Sequence, residues 1–139
     1  MILLDTNVIS ELTRSRPDPR VLAWADGLDH QDVAITVMNE AEILHGLARL
    51  PDGRRKQDLQ DSWEAVKAEL LTGRIWPFSS VSAHWYGELV SHRDRLGLPI
   101  DTADAVIAAI ALEHGAQLAT HNTKDFTELG LVLINPWNR

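Results

Sequence analysis

Acidic residues carry the most informative chemistry in this sequence. Asp5 follows the apolar run Met1-Ile2-Leu3-Leu4. A carboxylate at the end of a buried strand is costly unless its charge is compensated. Asp104 lies in "DTADAVIAAIALEHG". At 100° per residue, Ile107, Ile110 and Ala111 define an apolar face there, and Asp104 falls about 60° from Ile107, beside Ala111. It is therefore a first-turn acid on the core-facing side of a helix. Glu40 and Glu42 occur in "MNEAEILHGLARL". The wheel puts Glu40 nearer the apolar face of Ala41, Ile43, Leu44 and Leu47, and the residues alone leave the two glutamates open. Asp125 lies in "THNTKDF", just after an apolar run. Several carboxylates cannot share a cleft as bare anions. A hard divalent cation such as Mg²⁺ or Mn²⁺ prefers oxygen ligands and would compensate them. Zinc-type sites are disfavoured, because there is no cysteine and no histidine pair at zinc spacing on one helix face. His30, His45, His84, His92, His114 and His121 are scattered and read mostly as surface residues.

The elements that must position these acids alternate between strand and helix. "MILLD", "DVAIT", "RIWPF", "AQLATHN" and "LVLIN" read as short strands, and residues 6–14, 18–28, 37–50, 54–73, 80–96 and 101–114 as helices. Thr6 or Asn7 is the expected cap of the first helix, and Gly115 the stop of the last. Such alternation predicts an α/β fold with a mostly parallel sheet. Ligands of such sheets bind beyond the carboxyl ends of strands. Asp5 stands at one such end, and the stretch from Thr120 to Asp125 stands at another.

Plainer roles compete for each acid. Asp101 and Asp104 suit the N-cap and third position of a helix. Either glutamate fits a solvated helix face. Asp125 and Asn122 fit an ordinary turn. What argues beyond these roles is that four acids from distant segments all fall at element ends where an α/β sheet presents its site.

The length of 139 residues predicts one domain over 1–139, long enough to bury a real core. A formal net charge of -7 argues against a generic nucleic-acid coat, which should be basic. It remains compatible with an enzyme that meets nucleic acid through cations. No apolar run approaches a membrane span, and the start lacks the features of a signal peptide. With the absence of cysteine, a cytoplasmic setting is the expectation.

Four motifs in order, "LLDTNVISEL", "NEAEILHG", "DAVIAAIALEHG" and "LATHNTKDF" followed by "INPW", make the chain resemble PIN-domain proteins over nearly its whole length. More narrowly, it resembles the VapC/FitB-type toxins of bacterial toxin–antitoxin modules. The resemblance implies an α/β/α domain around a parallel sheet of four or five strands, and a Mg²⁺- or Mn²⁺-dependent ribonuclease. It assigns the four family acids to Asp5, Glu42, Asp104 and Asp125, with Asp5 and Asp104 as metal ligands. Glu42 is chosen over Glu40 because Gly46 follows it by four residues. Thr6, Thr120 and Asn122 match the family's supporting polar residues. His121 departs from the arginine common in the fourth motif, and Asp101 is an additional acid near the third. An RNA substrate, a cognate antitoxin and homodimerisation are implied as well. Trp63 and Trp85 are candidates for a contact surface, and Arg14, Arg16, Arg54, Arg55, Lys56 and Lys124 for steering RNA. Two rivals stand beside this reading. One is a catalytically silent RNA- or protein-binding module of the same fold. The other is an Asp-dependent phosphatase, which normally wants a second acid where this chain has Asn7.

Overall fold

The computed structural model describes residues 1–138. Five parallel strands form one sheet in the order β3-β2-β1-β4-β5, where β1 is Ile2–Leu4, β2 Val33–Thr36, β3 Ile75–Trp76, β4 Gln117–Ala119 and β5 Leu133–Ile134. The connecting helices are α1 (Thr6–Leu12), α2 (Pro19–Asp26), α3 (Val37–Ala48), α4 (Arg54–Leu70), α5 (Ser80–Arg95) and α6 (Thr102–His114). This is the α/β fold with a parallel sheet expected from the alternation of patterns, and its five strands agree with the four or five that the resemblance implies.

Side-chain alternation along the strands divides the core in two. Leu3, Ala34 and Leu118 point to one face, where they pack with Leu89 of α5, Ala105 and Ala108 of α6, and Phe126. Leu4, Val33, Ile35 and Ala119 point to the other, against Val8 and Ile9 of α1, Val21 of α2 and Trp63 of α4. Strands covered on both sides read as continuous apolar runs, which is why "MILL" and "VAI" show no polar alternation. Trp63 is 2% exposed, so it belongs to the core and not to a contact surface; Trp85 is 38% exposed.

Local signals fix the helix ends. Asp18 caps α2, accepting from the Arg20 amide at 2.8 Å, with Pro19 in the first turn. Thr36 and Asn39 form a reciprocal capping box on α3. Gly115 ends α6 in the left-handed conformation at φ 62°, which a side chain would resist. The cap of α1 is Asp5, one residue earlier than expected: its Oδ1 accepts from the Thr6 amide at 2.8 Å. The sequence pattern suggested Thr6 or Asn7 because it treated Asp5 as strand.

The sheet order places the strand ends that matter side by side. The order in which strands are added changes direction between β1 and β4, which are parallel, hydrogen-bonded neighbours with Leu4 opposite Ala119. The crevice beyond their carboxyl ends is the switch point at which α/β sheets bind ligands.

Candidate active site

Asp5 and Thr120 leave the ends of β1 and β4 and meet directly. The Thr120 hydroxyl donates to Asp5 Oδ2 at 2.7 Å, and the Asp5 amide donates to the Ala119 carbonyl at 2.9 Å. Asn7 Nδ2 reaches Asp5 Oδ2 at 3.3 Å, and Asn39 Nδ2 reaches Asp5 Oδ1 at 3.5 Å. Asp5 is thus a buried carboxylate, 5% exposed, whose orientation is set by groups from three segments. Burial pushes its pKa up. Donation from Thr120, Thr6 and Asn7 opposes that rise, and the charge of Asp125 adds to it.

Glu42 enters from α3. Its Oε1 accepts from the Thr6 hydroxyl at 2.8 Å, while Asn39 Nδ2 donates to the same hydroxyl at 3.1 Å. Glu40 turns the other way and pairs with Lys67 of α4 at 3.1 Å. The geometry therefore puts Glu42, and not the glutamate favoured by the helical wheel, beside Asp5.

Asp104 comes from the first turn of α6. Burial is the largest cause that pushes its carboxyl up to about 6, followed by the charges of Asp5, Asp125, Asp101 and Glu42. Asp5, Thr6, Glu42, Asp104 and Asn122 line a single cleft of about 810 Å³, together with Arg14, Arg55 and His121. Asp125 sits in the 3-10 turn Thr123–Phe126 and does not line that cleft. It borders a smaller cavity of about 170 Å³ with Asp101, Asp104 and Arg93, so Asp104 stands between the two spaces. Asp101 occupies the N-cap position of α6, yet its side chain makes no capping hydrogen bond.

Sequence reasoning missed three supporting residues. Asn39 is fully buried and bridges Thr36, Thr6 and Asp5. The spacing of Thr36 and Asn39 as a capping box was the available signal. Asn7 links Asp5 to the fourth motif, accepting from the His121 amide at 3.1 Å. Arg93, 4% exposed, donates to the carbonyls of Leu98, Asp125 and Thr127 at 2.7, 3.1 and 2.8 Å. It ties the end of α5 to the turn that carries Asp125. Of the six cations expected to steer substrate, Arg14 and Arg55 border the cleft; Lys56 turns to Asp52.

The donor set bears directly on a metal. Among the described residues, no ion pair involves Asp5, Glu42, Asp104 or Asp125. No three acidic or histidine side chains among them are yet drawn together as a ligand cage. Oxygen-only donors, mutual repulsion and one carboxylate buried without a counter-charge together fit a hard divalent cation. Binding such an ion would draw the acids inward against a repulsion that it relieves.

The fold recurs in known proteins. The chain is 40% identical to the VapC ribonuclease Y4jK of Sinorhizobium fredii over 137 residues, covering 99% of this chain and 98% of that protein. It is also 40% identical to Toxin FitB of Neisseria gonorrhoeae over 138 residues, covering 99% of each. The crystal structure of FitAcB from Neisseria gonorrhoeae superposes with a TM-score of 0.93 over 100% of both chains, at 40% identity. A family model described as the PIN domain matches residues 2–131. The five-stranded parallel sheet, the acids at its switch point and these matches have one common origin: the chain belongs to the PIN-domain family.

Proposed function

We propose that this chain is a divalent-metal-dependent ribonuclease and the toxin of a toxin–antitoxin pair. The observation that carries the reading is the cleft itself. Asp5, Glu42 and Asp104 converge there from three elements, and among the described residues none of the three is in an ion pair. Asp5 and Asp104 would hold the ion, with Glu42 and Asp125 completing the acidic set; Mg²⁺ and Mn²⁺ both suit those oxygens. When bound, such an ion supplies charge compensation at phosphorus and lowers the pKa of water for attack.

The chain's own residues do the positioning. Thr120, Asn7 and the Thr6 amide fix both oxygens of Asp5, and the Thr6 hydroxyl fixes Glu42. Arg14 and Arg55 at the cleft border attract the RNA backbone. Hydrolysis forms one P–O bond from water and breaks another, and the leaving sugar oxygen takes a proton. The setting is the cytoplasm, where RNA is available; among the described residues no helix is long and apolar enough to cross a membrane.

The partner reading follows from the same surfaces. Relatives include FitAB and VapBC pairs solved as complexes. A partner segment carrying Arg or Lys would place its cation among the cleft acids and compete with metal. Beside the cleft, a groove bordered by Ile9, Ile43, Leu47, Leu50 and Leu59 suits the apolar face of a partner helix. Two copies of this chain would pair through α5, where Val81 and Trp85 are 55% and 38% exposed. Sedimentation of the wild type and Trp85→Glu tests that pairing, which predicts a dimer for the first and a monomer for the second.

The deciding experiment is metal removal and return. Purified chain is incubated with a panel of RNAs and a DNA control. Cleavage of RNA with Mg²⁺ or Mn²⁺, its loss in EDTA and its recovery on adding either ion would support the reading. RNA binding without cleavage under all metals would favour the silent module of the same fold.

A further inference from the structure

His121 and Trp137 stack in the cleft next to the acids. Their ring centroids are 4.2 Å apart and their planes 15° from parallel. Both residues border the cleft that holds Asp5, Glu42 and Asp104. Their environments differ. Trp137 is 8% exposed, packed into the core cluster on the α1–α2 side of the sheet, and its amide donates to Asn135 Oδ1 at 3.0 Å. His121 is exposed. Its backbone is fixed through Asn7, whose side chain accepts from the His121 amide and donates to Asp5 Oδ2. Two hydrogen bonds therefore connect the backbone of His121 to the most buried acid of the site. The following residue is held as well, since the Asn122 amide donates to Thr120 Oγ1 at 3.1 Å.

A flat ring backed by an anchored tryptophan is held in place before anything binds. Ring stacking of this kind suits a planar partner laid on the open side. Unpaired bases of single-stranded RNA are recognised in this way, on aromatic side chains including histidine. No carboxylate among the described residues pairs with His121, so its ring is not committed elsewhere. We propose that the stacked His121–Trp137 pair is a nucleobase subsite, which takes an unstacked base of single-stranded RNA beside the phosphate lying over the acids. The proposal rests on the ribonuclease reading for its choice of ligand. A second stacked pair provides an internal control: Trp76 and His114 lie 3.8 Å apart at 19°, and neither borders the cleft.

The test is the binding of a fluorescein-labelled single-stranded RNA, followed by anisotropy with Mg²⁺ in the Asp104→Asn background so that the strand survives. His121→Ala should raise Kd by roughly 5- to 150-fold, the range of one base–aromatic stack. His121→Phe, which keeps a flat ring, should bind within about 3-fold of the parent by the same stacking. His114→Ala should bind as the parent does. An abasic nucleotide scanned along the strand should weaken the parent at one position by the same factor as His121→Ala, with no further loss when the two are combined. Circular dichroism melts establish that each variant is folded. Parent-like binding by His121→Ala overturns the subsite. Weak binding by His121→Phe together with indifference to every abasic position also overturns it, in favour of a polar contact to phosphate. Wild-type cleavage is measured in parallel to separate the two readings. If wild type does not cleave but the abasic and His121 effects coincide, the subsite stands and the reaction falls. If wild type cleaves and His121→Ala binds normally, the subsite alone falls.

Discussion

Asp104 holds its proton to a higher pH than an ordinary aspartate because it is half-buried among other acids. Its carboxyl titrates near 6 in the folded, metal-free protein, against about 3.9 in an unfolded chain. The folded state therefore binds the proton more tightly. The stability contributed is full below about pH 4 and is lost as pH rises through about 6. Asp5 is shifted in the same direction. Replacing Asp104 by Asn mimics the protonated form, so in EDTA the variant should melt higher than wild type above pH 6. The gain is about 1 kcal/mol after allowing for partial exposure, or a few degrees, and it should vanish towards pH 4. Thermal melts across that range check both size and sign. Glu42→Gln should lower RNA cleavage by about 100-fold or more, in line with the loss of a group acting on the reacting centre. Glu40→Gln should keep the wild-type rate and lose only a partly exposed pair with Lys67, about 0.5 kcal/mol or less. Paired rate measurements decide between the two glutamates. Asp5 and Asp104 were legible in the sequence because each interrupts an apolar pattern. Glu42 was not, because a wheel measures nearness to apolar residues. On α3 the apolar side is shared with α4, where Lys67 meets Glu40, and the cleft lies on the polar edge facing Thr6.

Elements rather than single residues determine how the acids meet. The parallel order β3-β2-β1-β4-β5 brings the ends of β1 and β4 together, although they are separated by more than a hundred residues in sequence. The alternating pattern and the apolar strands revealed the fold class. Strand lengths were less legible: β3 and β5 are two residues each, because the apolar runs continue past the point where ladder pairing stops. The placement of Asp125 depends on a contact that no local pattern encodes. Arg93 is 32 residues away from it in sequence and holds its backbone carbonyl. Arg93→Met should leave three carbonyls without their donor and cost about 3 kcal/mol. Its Tm should fall accordingly, and RNA cleavage measured well below that Tm should also fall because the turn bearing Asp125 is released. A variant with a lowered Tm and an unchanged rate would show that Arg93 stabilises the fold without positioning the acid.

At the scale of the molecule, the proposed metal site in a protein of net charge -7 would make cation binding and folding two sides of one equilibrium. An ion that binds only the native state stabilises it by about 2.7 kcal/mol at 100 times its Kd. Millimolar Mg²⁺ or Mn²⁺ should therefore raise Tm, EDTA should reverse the rise, and Asp5→Asn should show little of it. Whole-molecule properties were the least legible in sequence. Composition described an acidic protein, but only the sheet order shows where the acids gather. Trp63, a candidate for a contact surface, proved to be core because it packs in one buried cluster with Leu4, Val33 and Ile35 of the strands. The most direct test of the central claim is the initial rate of RNA cleavage by wild type and Asp5→Asn, purified side by side and assayed with Mg²⁺. The account predicts a fall of about 100-fold or more, with a metal-free Tm no lower than that of wild type. A wild-type rate in Asp5→Asn, from a preparation free of contaminating nuclease, would contradict it.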